Sequence, residues 1–125
     1  MIKKILLTVT ALALTVFYFY ADPAVRSFGP PCLVRHTTGL YCWGCGGQRA
    51  FHALLHGQFG NAFRNNLLVY PVILLAGLVL YAELFNAPQA WQWIRNRYVT
   101  IISVTLFFVF TIVRNVEGFE FLLPY

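Results

Sequence analysis

The chain has 125 residues, enough for one domain, and is 59% hydrophobic and only 10% charged, whereas soluble domains carry about 25% charged residues. Water is therefore not its main solvent, and its nine Lys and Arg residues, which set a net charge of +5, are too scattered for a nucleic-acid face and suit anionic lipid headgroups instead. Three cysteines are too few and too odd in number for a disulfide-dense secreted scaffold, which leaves a metal site, a redox pair, or one bridge plus a free thiol.

Ile5 to Ala21 form an uncharged apolar run of 17 residues behind Lys3 and Lys4. The run outlasts a signal-peptide core, ends on the bulky Phe17-Tyr18-Phe19-Tyr20, and has no small-x-small cleavage site before Asp22. A retained first transmembrane helix with an aromatic interface belt is expected.

The stretch from Pro30 to Asn66 holds nearly all the chemically versatile residues: Cys32, His36, Cys42, Cys45, Arg49, His52 and His56. Glycines around Cys42-Trp43-Gly44-Cys45-Gly46-Gly47 allow tight turns that bring the two thiols together above a helix start. That helix is expected from Gly46 or Gly47 to about His56, with Gly57 as its stop. Phe51, Leu54 and Leu55 share one face and Arg49, His52 and His56 another, so the helix is amphipathic. It is too short to cross a bilayer and is expected to lie in the interface or across the span ends. Asn61, Arg64, Asn65 and Asn66 form a polar lead-in to the next span.

Leu67 to Phe85 make a second apolar run of 19 residues, with Pro71 in its first turn, where a missing N–H costs little. Glu83 near its end is an acid in a span, a position that raises ion binding or proton transfer, but it lies close enough to the boundary to reach the headgroups. Asn86 to Arg97, with Pro88, Trp91 and Trp93, is expected to be a short turn anchored at a membrane surface. Tyr98 to Val113, 16 residues, is the third run, short enough that Arg97 and Arg114 are expected to reach outward to the headgroups. Asn115 to Tyr125 reads as an interfacial tail.

The expected fold is thus one all-α integral membrane domain over 1–125. Three transmembrane helices lie near 5–21, 67–85 and 98–113, and a Cys-rich loop with a short interfacial helix occupies 30–66. Lys3, Lys4, Arg95 and Arg97 fall densely beside span ends on one side, which makes that side cytoplasmic. The chain is then multi-pass in the cell (inner) membrane, with the cysteine loop on the extracytoplasmic side.

The segment from Cys32 to about Leu68, with Gly39, Cys42, Gly44, Cys45, Gly46, Gly47, Arg49, Ala50, Leu54, Gly57 and Ala62, resembles a family of small uncharacterised bacterial membrane proteins. These carry a Cys-Pro-Gly-Cys-Gly-Gly-Thr-Arg-Ala type motif. Trp43 and Gln48 stand here where that family commonly has proline and threonine, and Asn66 where it often has proline. These departures loosen the turn but leave the thiols and Arg49 in place. The resemblance implies a membrane location and names no reaction.

Two classes of function are expected from the residues. In the first, the chain is a scaffold binding lipid, a membrane-protein partner or its own copies. Its cysteines form a structural site, either a Cys42–Cys45 or Cys32–Cys42 disulfide or a zinc held by Cys32, Cys42 and Cys45 with His36, His52 or His56. In the second it is a membrane thiol-disulfide oxidoreductase using Cys42 and Cys45. There the helix start and Arg49, one turn further on, favour a thiolate. His52 and His56 lack the glutamate of a metalloprotease motif, which excludes that hydrolase chemistry.

Overall fold

The computed structural model describes residues 2–26, 32–118 and 120–124; the Pro30 start of the cysteine segment, and Phe119 and Tyr125 of the tail, lie outside the described residues. The regular elements among these are all helical: α1 (Ile2–Tyr20), α2 (Leu33–Thr38), α3 (Gly47–Leu55), α4 (Phe59–Asn65), α5 (Val69–Phe85), α6 (Pro88–Ile94) and α7 (Arg97–Arg114), then a 3-10 turn at Glu120–Leu122. Two helices, α1 and α7, are long and apolar enough to cross a membrane, and there are three if α4 and α5, which meet at a bend of 104°, count as one span. At 19 residues, α1 reaches roughly 28 Å, the thickness of a bilayer's hydrocarbon. No α1 side chain is buried against the rest of the protein. The outward side chains, such as Ile5, Leu6 and Leu12 on α1 and Ile101, Ile102 and Phe108 on α7, are ones that lipid solvates well.

Both ends of the bundle are tied by polar contacts between distant segments. At one end, Lys3 pairs with Glu83 at 3.3 Å. Lys4 donates to the Leu84 carbonyl at 3.0 Å and to Asn86 Oδ1 at 2.8 Å. A cation on the last carbonyls of α5 sits where the helix dipole is negative. Glu83 is accordingly an ion-pair partner at a helix end. At the opposite end His52 Nδ1 donates to the Tyr18 carbonyl at 2.6 Å, and Phe19 stacks on His56 with centroids 4.5 Å apart, fastening α1 to α3.

α3 and α4 form a tight helical hairpin. Gly57 adopts φ +70°, Gly57 N–H donates to the Leu54 carbonyl and Gln58 N–H to the Ala53 carbonyl, the paired bonds of a glycine-stopped helix end. Ala50 and Ala62 are fully buried, and with Ala53 and Val69 they make a small core against which Phe51, Leu54, Tyr70 and Ile73 pack. The small side chains let the two helices approach closely, so this hairpin caps the spans as one unit. A second cluster, Leu68, Phe110 and Leu122, joins the start of α5, the end of α7 and the tail.

Three segments differ from the sequence expectation. The polar lead-in from Asn61 to Asn66 is mostly α4, because Ala62 and Asn65 are buried and the segment must satisfy its backbone bonds internally. The turn expected over 86–97 contains the helix α6, opened by Pro88 at its first position, where proline is preorganised. Asn96 then starts α7, its side chain accepting the Tyr98 N–H. Residues Leu33–Thr38 form a helix that the sequence reading left in the loop.

Candidate functional site

Between Tyr41 and Cys45 the backbone follows neither helix nor strand, so its carbonyls need partners from elsewhere. Three side chains supply them. Asn115 Nδ2 donates to the Tyr41 carbonyl at 2.8 Å while its Oδ1 accepts the Tyr41 N–H at 2.9 Å. Asn66 Nδ2 donates to the carbonyls of Trp43 at 2.8 Å and Cys45 at 3.2 Å, and its Oδ1 accepts the Leu68 N–H. Arg114 Nη1 donates to Cys45 at 2.7 Å and Cys42 at 3.2 Å, and Nη2 to the Asn65 carbonyl at 2.9 Å. The loop is therefore clamped between the start of α5 and the end of α7.

The close approach of loop and hairpin depends on Gly46. Its φ is +78°, and a Cβ there would lie 2.5 Å from the Asn65 carbonyl oxygen and 2.7 Å from Pro124 Cβ. Trp43 closes the other flank by packing on Phe107, centroids 5.2 Å apart.

This frame gathers the three thiols. Cys42 Sγ lies 3.1 Å from Cys32 Sγ and 3.2 Å from Cys45 Sγ, and all three sulfurs fall within 4.8 Å of one another. They are free cysteines, Cys45 buried and the other two half-buried, close enough together to hold one metal ion. Thiolates sharing a tetrahedral ion at about 2.3 Å from each sulfur stand roughly 3.8 Å apart, so a small side-chain rotation would fit them to an ion. The backbone N–H of Arg35 at the start of α2, and then the Cys42 thiol, lower the Cys32 thiol to about 7. Burial, with the neighbouring Cys42 thiol adding to it, pushes Cys45 up to about 12. Cys32 is thus more ready to ionise than Cys45.

The structure thus brings together Cys32, Cys42 and Cys45, as the metal reading required, and no histidine nitrogen joins them within the same span among the described residues. His36 is exposed on α2, where its N–H donates to the Cys32 carbonyl, and His52 and His56 sit in the seam with α1. Arg49 stands half-buried on α3. Two cations meet the cysteine loop: Arg35 of α2, exposed, lies over the Tyr41 ring at 3.7 Å, and Arg114 is buried beneath the loop carbonyls. Sequence reasoning placed Arg114 at the headgroups, but it is 1% exposed. A cation at the end of an apolar run reads as an outward-reaching anchor, and only the return of α7 to the loop reveals its carbonyl partners. Asn66 and Asn115 were missed for the same reason. Asn66 also has φ −165° and donates its N–H to the Ala62 carbonyl, so a proline at this position would not fit this backbone.

Comparison with known proteins agrees with an uncharacterised family. Residues 32–80 match the family described as "Protein of unknown function (DUF2752)", which spans the cysteine loop, the hairpin and most of α5 and stops short of Arg114 and Asn115. No curated protein and no solved structure matches the chain.

Proposed function

We propose that this chain is a three-span protein of the cell membrane whose Cys32, Cys42 and Cys45 bind one thiophilic metal ion. That ion locks the loop and the α3–α4 hairpin onto the span ends as a scaffold for lipid, a membrane-protein partner or a second copy. The observation that carries this reading is the meeting of all three sulfurs within 4.8 Å. A disulfide would use two of them and leave the third without a role, whereas a metal uses all three. Zinc suits the donor set. The density of Lys3, Lys4, Arg95 and Arg97 supports a loop facing the extracytoplasmic side.

Elemental analysis of the detergent-purified protein tests the reading. One equivalent of metal is expected in the wild type and less than a tenth of that in Cys42→Ser. Metal-free wild-type protein with the loop equally protected from proteolysis would overturn it.

A second reading, thiol-disulfide exchange, is favoured by the central place of Cys42, in contact with both other sulfurs. A Cys42–Cys45 disulfide would accept two electrons and two protons from a substrate dithiol, which leaves as a disulfide. Alkylation of freshly isolated membranes with and without mild reductant separates the two, since only this reading places a reversible disulfide in the untreated chain.

A further inference from the structure

The guanidinium of Arg114 is the most deeply buried charge among the described residues, at 1% exposure. Burying such a cation costs several kcal/mol unless an anion compensates it. Its hydrogen bonds reach three neutral carbonyls, those of Cys42, Cys45 and Asn65, and its Nε has no partner. The carboxylate ion pair described in the structure, Lys3 with Glu83, is at the other end of the bundle. Two of the three carbonyls belong to cysteines of the sulfur cluster, so among the described residues the Cys45 and Cys42 thiols are the first groups beside Arg114 able to carry negative charge, ahead of the Tyr41 phenol.

We infer that Arg114 is the counter-charge of an anionic metal–thiolate complex, and that the site therefore selects a divalent cation. The charge count follows from the chemistry. A divalent ion displaces three protons from Cys32, Cys42 and Cys45 to solvent, and the complex carries +2 − 3 = −1, which Arg114 neutralises. A neutral fourth ligand such as water leaves that count unchanged. A monovalent ion with the same three thiolates carries −2, which the buried Arg114 alone does not balance; Arg35, over the Tyr41 ring at 3.7 Å, is exposed and its charge is screened by solvent. Arsenite condenses with three thiols, releasing three waters, to a neutral complex that makes no use of the arginine. The inference rests on the metal reading above and adds the charge class of the ion. Arg114 acts here as a positioning and charge-balancing residue; it is not a ligand.

The test uses the full chain, reduced and metal-free in detergent, titrated with Co²⁺ through its thiolate absorption bands and separately with arsenite. A unit charge on the order of 6 Å from the complex, at an effective dielectric of about 20, changes affinity roughly a hundredfold. Arg114→Gln is expected to weaken Co²⁺ by about that factor and arsenite by less than about threefold. Arg114→Lys, which keeps the charge, is expected to stay within about tenfold of wild type for Co²⁺. Intact arsenite binding shows that the variant still assembles its sulfurs. The inference is overturned if Arg114→Gln holds Co²⁺ as tightly as wild type, if it loses both probes equally, or if Arg114→Lys falls as far as Arg114→Gln. Wild-type protein that takes up neither probe sinks the metal reading itself.

Discussion

Substituting glycines in the cysteine loop separates backbone strain from steric contact, and Gly46 is the position where both act. An alanine there must hold φ +78°, which costs an L-residue about 1–2 kcal/mol. Its Cβ would also meet the Asn65 carbonyl oxygen at 2.5 Å, a backbone atom fixed by its bond to Arg114. Relieving that overlap moves the start of α3 away from the end of α4, and overpacking of this kind costs a further ~1–3 kcal/mol. The sum for Gly46→Ala is therefore roughly 2–5 kcal/mol. Gly57→Ala carries the backbone cost alone, because its φ is +70° with nothing near the new methyl, so about 1–2 kcal/mol is expected. Gly44→Ala carries neither, since its φ is ordinary and its nearest neighbour is Cys42 Sγ at 3.9 Å; a change within about 0.5 kcal/mol is expected. Thermal unfolding followed by circular dichroism in detergent should rank Gly44→Ala above Gly57→Ala above Gly46→Ala. The alkylation rate of Cys45 should rise only in Gly46→Ala. If Gly46→Ala melts together with Gly57→Ala, the close approach of loop and hairpin contributes nothing and the reasoning fails.

Asn66→Leu should lower stability by roughly 2–6 kcal/mol, because the Trp43 carbonyl and the Leu68 N–H lose their partner together and each unsatisfied group costs about 1–3 kcal/mol; a melting temperature equal to wild type would contradict this. In reduced, metal-free protein, iodoacetamide should modify Cys32 before Cys45, with a rate that climbs as pH rises through about 7, and should leave Cys45 untouched until the chain unfolds, as peptide mass spectrometry would show. The sign of the associated stability follows from the two shifts. The Cys32 contribution is complete above the thiol's unfolded value and is lost as pH falls through about 7. The Cys45 contribution is complete at neutral pH and is lost between the ordinary thiol range and about 12. A Cys45 that reacts as fast as Cys32 at neutral pH would refute the burial that raises it.

Periodicity and composition are enough to read the lipid-facing helices, because an apolar run must close its own backbone hydrogen bonds in hydrocarbon whatever its neighbours are. The end of α3 at Gly57 and the start of its helix at Gly47 are legible for a similar local reason: glycine tolerates the left-handed turn that stops or precedes a helix. α6 is not legible in the sequence although Pro88 and Asn96 mark its start and the cap that follows, since its Trp and Gln residues serve a surface turn equally well.

The sulfur site divides along the same line. The residue types and the spacing of Cys42 and Cys45 announce a thiol pair, and a shared turn is enough to bring those two together. That Cys32 completes the cluster, that Arg114 and Asn115 return some seventy residues later to clamp its carbonyls, and that His52 and His56 belong to another seam were settled by tertiary packing alone. Local patterns report which backbone a residue prefers; they carry no information on which distant carbonyl a buried side chain will meet, because that depends on where whole helices cross.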